Sequence, residues 1–289
     1  MKNQSILNLS NIGETALLTL YARAIESKSD NPILKDEKAE EIIQALDPIL
    51  KTRESKMARQ LTERKLDPKL VTHLALRAEK YDRTAKQFLA QHPGASIVNL
   101  GCGLDTRFFR IDDGRLQCVD IDLPEMIALK RELLKETPRY RMLAGSVLDH
   151  AWMQKIEKNP GPYCFLMEGL LMYLPEDEVK RLILAMRDRF PGSEMVCEVT
   201  HRQWVEGFWG KLVALKMQKR TKFGRDARFQ FGLRRPDEIE TWGAGITFLE
   251  DWFYMDEDHP KIGWMRVFKN WKIFRTAQYT AHYQFKENK

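Results

Sequence analysis

"NLGCGLDTRFFR", Asn99 to Arg110, continues an apolar run, "ASIVNL", of the length and character of a buried strand. Two glycines flank one residue, and an acid, Asp105, stands two positions after the second glycine. A strand that runs into a glycine turn is where an open α/β sheet receives its ligand, at the carboxyl ends of its strands. This stretch therefore decides the fold first and the ligand second.

The pattern around it agrees. From Ala95 onward the short apolar runs "SIVNL", "LQCVDID", "YRMLAG", "YCFLMEG" and "EMVCEVT" recur every ~20–35 residues, the spacing of βα units. Helical patterns lie between them, notably "EMIALKRELLK" after Pro124. "PEDEVKRLILAMRDRF" has its acids early and its bases late, as a helix dipole prefers. Near-continuous apolar strands alternating with helices predict a doubly wound, mostly parallel sheet covered on both faces. "ITFLEDWFYM" and "WKIFRTAQYTAHYQF" read as two last strands, antiparallel at one sheet edge. Before Ala95 the chain is helical. "TALLTLYARAIE", "DEKAEEIIQAL" and "DPKLVTHLALRAEKYDRTAKQFLAQH" carry apolar residues at helical spacing, and the last runs from Pro68 to the breaker His92-Pro93-Gly94. The basic "KTRESKMARQLTERK" between them is a solvated helix face or loop. The expected organisation is an N-terminal helical segment, 1–92, and an α/β domain, 93–289, with a helical cap inserted at 201–242.

The glycine loop excludes two ligands. A dinucleotide fingerprint needs a third glycine so that a helix N-terminus can approach the pyrophosphate. Here Gly103 is followed by Leu104-Asp105-Thr106, and Asp105 would repel a diphosphate. No Gly-Lys-Ser/Thr follows, so a nucleoside triphosphate is excluded too. The next strand ends in Asp120-Ile121-Asp122, and a carboxylate there can accept both hydroxyls of a ribose. Close approach, no phosphate grip and a ribose acid together suit S-adenosylmethionine, which has an adenosine and no phosphate.

Composition limits the alternatives. The 289 residues are 43% hydrophobic and 30% charged, ordinary for a globular protein, and the net charge of +6 favours an anionic ligand without demanding nucleic acid. Cys102, Cys118, Cys164 and Cys197 each lie in or beside an apolar run, as free thiols do in a reducing cytosol. No Cys-x-x-Cys suggests a metal. The start "MKNQSILNLS" is too polar for a signal peptide, and no apolar run nears the ~18 residues of a membrane span. A cytoplasmic protein with no membrane and no nucleic-acid partner is expected.

Four motifs in order, "NLGCGLDTRFFR", "VDIDLPEMIALKREL", "GSVLDHAWM" and "MEGLLMYLPEDEV", resemble the leucine carboxyl methyltransferase family. The likeness is strongest to its bacterial branch, similar to the tetracenomycin-type polyketide O-methyltransferases. It runs from about Arg77 to Pro191 and more loosely to the C-terminus. It implies a class I, Rossmann-like methyltransferase fold and S-adenosylmethionine as methyl donor. It also lends roles. Arg77, in "LALRAEKYD", matches the arginine that pairs with the cofactor's methionine carboxylate. Gly101 and Gly103 match the loop glycines beside the methionine part, and Asp122 matches the ribose acid, with Asp120 two residues earlier on the same strand face. Ser146 and Val147 match the adenine-side pair, although the leucine carboxyl branch has an acid where Ser146 stands. Asp149 is a second candidate there, or a helix N-cap. Glu168 matches a glutamate near the cofactor's amino group. Asp105 and Arg107 pair with the same zwitterion or with each other.

Methyl transfer to oxygen is an in-line displacement that mainly requires alignment in a dry site. A carboxylate acceptor is already ionised at neutral pH, whereas a phenol benefits from a base. His201, directly after "EMVCEVT", is the best-placed base, and His150 is a weaker one. The cap interleaves Trp204, Phe208, Trp209, Phe223, Phe229 and Phe231 with Lys216, Lys219, Arg220, Lys222, Arg225 and Arg228. That mixture suits a flat, anionic or phenolic small molecule. The expected activity is O-methylation of a polyketide-like or aromatic hydroxyl or carboxyl in secondary metabolism. The alternatives are a carboxyl methyltransferase acting on a protein or peptide C-terminus, and a non-catalytic cofactor-binding relative.

Overall fold

The computed structural model describes residues 11–206, 229–271, 275 and 277–286. Seven strands form one sheet in the order β3-β2-β1-β4-β5-β7-β6. They are β1 (Ser96–Leu100), β2 (Gln117–Asp122), β3 (Tyr140–Ala144), β4 (Tyr163–Met167), β5 (Glu194–Val199), β6 (Ile246–Trp252) and β7 (Tyr279–Phe285). The first five strands pair in parallel, and β1, β4 and β5 are buried along their whole length. That is the reason they read as unbroken apolar runs. The two last strands are antiparallel to each other, as expected, but only β6 forms the edge. β7 inserts between β5 and β6 and runs antiparallel to both.

The strand order reverses between β1 and β4, so the carboxyl ends of β1, β2 and β4 open onto one crevice. Among the described residues, four helices precede the sheet: α1 (Asn11–Ser27), α2 (Glu37–Leu50), α3 (Lys56–Thr62) and α4 (Pro68–Gln91). Their starts follow local chemistry. Asp36 caps α2 through Ala39 N, Ser55 caps α3 through Ala58 N, and Asp67-Pro68 opens α4. The basic stretch 51–65 thus contains a short capped helix, α3, whose Ala58 and Leu61 are buried.

The N-terminal helices share their largest buried cluster with the sheet. Leu17, Leu20, Tyr21, Ile43 and Leu46 belong to the same buried cluster as Ile97, Cys118, Met142 and Leu166 of the sheet. Among the described residues, the helices between strands are α5 (Arg107–Ile111), α6 (Pro124–Leu133), α7 (Ala151–Ile156) and α8 (Glu176–Arg189). Of the expected cap, residues 207–228 lie outside the described residues, including Phe208, Trp209, Phe223 and the six cap bases Lys216 to Arg228. The described return of the cap is held to the sheet. Leu233 bridges His201 in parallel, Phe231 is fully buried 6.0 Å from Trp242, and Phe229 lies 5.6 Å from Tyr173. Among the described residues, no helix is long and apolar enough to cross a membrane.

Candidate active site

A cavity of about 630 Å³ opens at the crevice, within the size range of cofactor sites. Its floor is the glycine loop after β1. Gly101 and Gly103 have φ of 68° and 48°, left-handed values that glycine adopts without strain. A Cβ on Gly101 would stand 2.8 Å from Leu170 Cδ1, so the loop after β4 presses directly on it. The loop is also laced to β2. Gly101 N and Cys102 N donate to Ile121 O, and Gly103 N donates to Asp122 Oδ2 at 2.7 Å. Asp122 Oδ1 accepts from Leu123 N at 2.7 Å. Each Asp122 oxygen keeps a second lone pair, and the side chain lines the cavity. Burial raises its pKa above the ordinary value, and the two backbone N–H groups pull the other way.

The structure separates the two strand-end acids. Asp120 does not line the cavity. It accepts from Asn99 Nδ2 and Tyr140 Oη, both at 2.6 Å, and pairs with the fully buried Lys130 Nζ at 2.6 Å. Both acids lie on one face of β2, but neighbours on β3 and α6 occupy the deeper one.

A buried ionic network forms another part of the wall. Arg77, on α4, donates from Nε to Glu168 Oε1 at 2.9 Å and from Nη1 to both oxygens of Glu198 at 3.1 and 2.9 Å. Arg107 reaches Asp82, Asn99, Asp105 and the second oxygen of Glu168, at 2.6–3.0 Å. Arg110 holds Asp36, Asp82 and Asp105, and Arg23 holds Asp36 at 2.9 Å and Leu104 O at 2.9 Å. Burial would raise the pKa of Glu168, but the guanidinium groups of Arg77 and Arg107 hold it below its ordinary value. Burial acts the same way on Asp105, and Arg107 and Arg110 overcome it. Asp105 and Arg107 thus pair with each other. Arg107 spends nearly all its donors inside the network. Arg77 Nη2 and Arg23 Nη1 have no partner among the described residues, and both side chains line the cavity.

All eight expected cofactor residues converge here. Arg77, Gly101, Gly103, Asp105, Asp122, Ser146, Val147 and Glu168 line the one cavity. Ser146 and Val147 follow β3. Val147 O accepts from Trp152 Nε1 at 2.9 Å, and Ser146 Oγ accepts from Leu148 N at 3.2 Å. Asp149 accepts from Ala151 N at 3.2 Å at the start of α7 and does not line the cavity.

His201 is the exception. It is absent from the cavity wall, and its Nδ1 accepts from Gln203 N at 3.1 Å, capping the short helix Arg202–Trp204. The turn after β5 carries the backbone away to bridge Leu233, and the imidazole goes with it. Among the described residues, His201 serves as a helix cap and lies off the cavity, and His150 is off it as well.

Sequence reasoning missed Arg23, Asn99, Glu198 and Gln278, the last a cavity residue whose Nε2 donates to Glu198 Oε1 at 2.5 Å. A signal existed. Arg77 falls on the apolar stripe Leu74, Tyr81, Ala85, Phe88 of α4, and Glu198 interrupts a fully buried strand. An ionisable residue on a buried face needs a partner or a ligand. The rest of the wall is mostly apolar: Leu18 on α1, Leu70 and Leu74 on α4, then Leu170, Met172 and Leu174, with Tyr173 among them and Thr15 and Thr19 of α1 beside Leu18.

A sheet of this order, a glycine loop without a phosphate grip and a carboxylate at the end of β2 define the class. The protein is an S-adenosylmethionine-dependent methyltransferase of the class I fold. The family model for leucine carboxyl methyltransferase matches residues 16–187. The chain is 30% identical over 268 residues to the tetracenomycin polyketide synthesis O-methyltransferase TcmP of Streptomyces glaucescens, covering 92% of this chain and 90% of that one. It is 27% identical to the S-adenosyl-L-methionine-dependent methyltransferase dpfgK of Gibberella zeae, covering 89% and 87%. The crystal structure of a DUF574 family protein from Streptomyces avermitilis shares the fold, with a TM-score of 0.56 at 14% identity over 93% of this chain and 97% of that one. The chain belongs to the leucine carboxyl methyltransferase family.

Proposed function

We propose that the chain methylates the carboxylate of a small, largely apolar, ring-bearing acid, with these cavity residues holding the cofactor. Asp122 takes the ribose hydroxyls on its free lone pairs, and Arg77 takes the methionine carboxylate on Nη2, with Arg23 Nη1 beside it. Glu168 faces the amino group. Ser146 and Val147 border the adenine, and Gly101, Gly103 and Asp105 form the floor under the methionine part. The charges fit. Four arginines face five carboxylates in the network, and Asp122 adds a sixth negative group, so the site favours a ligand of net positive charge. The bound cofactor supplies a methyl group already activated by its sulfonium. The chain's own work is to align the acceptor oxygen and keep water out.

One observation carries the choice of oxygen. Each carboxylate on the cavity wall is committed, Asp105 and Glu168 to guanidinium groups and Asp122 to backbone N–H groups. Burial also pushes the Cys102 thiol well above its ordinary pKa. With His201 turned to a backbone cap, the described wall offers no uncommitted carboxylate or imidazole to act as a base. An acceptor that arrives ionised suits that wall, and a carboxylate of pKa ~4 does so at neutral pH. The leucine-rich side supports an apolar body, and a relative named for polyketide synthesis supports a ring-bearing one. Four buried free cysteines support a reducing compartment such as the cytoplasm, and the relative named for polyketide synthesis supports a role in secondary metabolism.

The test is transfer of labelled methyl to matched sets of aromatic carboxylic acids and phenols. A carboxyl methyl ester releases its label as methanol under mild base, and an aryl ether does not. Base-labile product is the expected result. Base-stable product alone would refute the carboxylate reading.

A further inference from the structure

We propose that Glu198 is a positioning residue: held in turn by Gln278 of the cavity wall, it fixes the aim of Arg77. The proposal rests on the reading that Arg77 meets the cofactor's carboxylate. A guanidinium has five N–H donors in one plane. Glu168 takes Nε, and Glu198 takes Nη1 with both oxygens at 2.9 and 3.1 Å. Only the Nη2 edge is left for the cavity. Glu168 cannot fix that plane alone, because its other oxygen is engaged by Arg107 at 2.8 Å. A grip on Nη1 removes the remaining freedom of rotation.

Gly169 gives a second, independent observation. Its φ is 67°, and a Cβ there would sit 3.4 Å from Glu198 Oε2 and 3.8 Å from Arg77 Nη1. The Glu168-Gly169 pair therefore supplies an acid for Nε and a left-handed turn that runs within contact distance of the Arg77–Glu198 pair. Glu198 itself is 2% exposed at the end of β5 and touches the cavity only through others. One of those others is Gln278, on the segment entering β7. Burial raises the pKa of Glu198, and Arg77 opposes the rise, so the pair is mutually dependent. One carboxylate thus joins two residues of the cavity wall, Arg77 and Gln278.

The experiment uses two ligands and the intact protein. S-adenosylhomocysteine carries the carboxylate, and 5′-methylthioadenosine keeps the adenosine but lacks the amino-acid part. Calorimetry on wild type should show a preference for S-adenosylhomocysteine, and Arg77→Ala should abolish it. Glu198→Gln keeps the shape but removes the charge. It should weaken S-adenosylhomocysteine ~10- to 100-fold, the scale of a hydrogen bond to a charged group, and leave 5′-methylthioadenosine within about twofold. Gln278→Leu should lose a smaller part of the same preference. A general loss of packing would weaken both ligands alike and overturn the proposal. If Glu198→Gln does not fold, Glu198→Asp, which keeps the charge one methylene short, should lose the preference partly. Full preference in whichever variant folds overturns the proposal and leaves the role of Arg77 standing. Absence of any preference in wild type refutes the role of Arg77 itself.

Discussion

Asp122→Asn and Asp120→Asn should fail in different ways, and the contrast tests the whole site. Asp122 uses one oxygen for Gly103 N and the other for Leu123 N, each at 2.7 Å. Asparagine has a single oxygen, so its NH2 must face one of those N–H groups, donor against donor. The ribose also loses its charged acceptor. A hydrogen bond to a charged group contributes ~1.5–3 kcal/mol, so affinity for S-adenosylhomocysteine should fall ~10- to 150-fold. Asp120 instead serves Asn99, Tyr140 and Lys130 away from the cavity. Asp120→Asn leaves the Lys130 charge buried without its counter-ion, and breaking such a pair costs ~3–5 kcal/mol of stability. Calorimetry and thermal unfolding on the same preparations separate the two. Asp122→Asn should bind poorly and lose less in melting temperature than Asp120→Asn, which should melt several degrees lower and bind with near-normal affinity if folded. The reverse pattern would refute the assignment of the strand end. Acid pH gives a further readout. Burial raises the pKa of Asp122, so it takes up its proton at a higher pH than an ordinary aspartate. Binding favours the ionised form, so affinity should drop as pH falls through that point, and Asp122→Asn should lack this acid limb.

Other outcomes follow from the same geometry. Asp36 is fully buried, and although burial raises its pKa, Arg110 and Arg23 pull it below the ordinary value. A depressed carboxylate stabilises the fold above its unfolded pKa, so this contribution should be lost as pH falls below ~4, and Asp36→Asn should cost ~3–5 kcal/mol and flatten that limb in denaturant titrations. His201→Ala removes one cap bond and should cost ~0.5–1.5 kcal/mol of stability while turnover stays within about twofold; a 100-fold loss of turnover would restore the histidine as a base. Gly101→Ala forces a side chain onto φ of 68° and into Leu170, so ~1–3 kcal/mol of strain should appear as weakened S-adenosylhomocysteine binding.

The sequence by itself determined the elements and the loop chemistry, because both are local. Strand length, helix spacing and the acid-proline helix starts at Asp67-Pro68 and Asp122-Leu123-Pro124 act within one or two turns of chain. The glycine loop, the missing third glycine and the acid closing β2 are local too, and they sufficed for the cofactor. The order of the last two strands, with β7 between β5 and β6, was not local, since either strand has the pattern to pair with β5. Neither was the choice between Asp120 and Asp122. Period-two alternation puts both on one face, and only Lys130 and Tyr140, brought in from α6 and β3, claim Asp120 for the interior. The network around Arg77 joins residues 91 and 121 positions away in sequence. Such pairs leave no spacing signal, because their partners are chosen by the sheet that brings strand ends together. His201 shows the converse. Its position after β5 is legible in the sequence, but the direction of its ring depends on the backbone leaving the strand to meet Leu233, a contact that exists only in the folded chain.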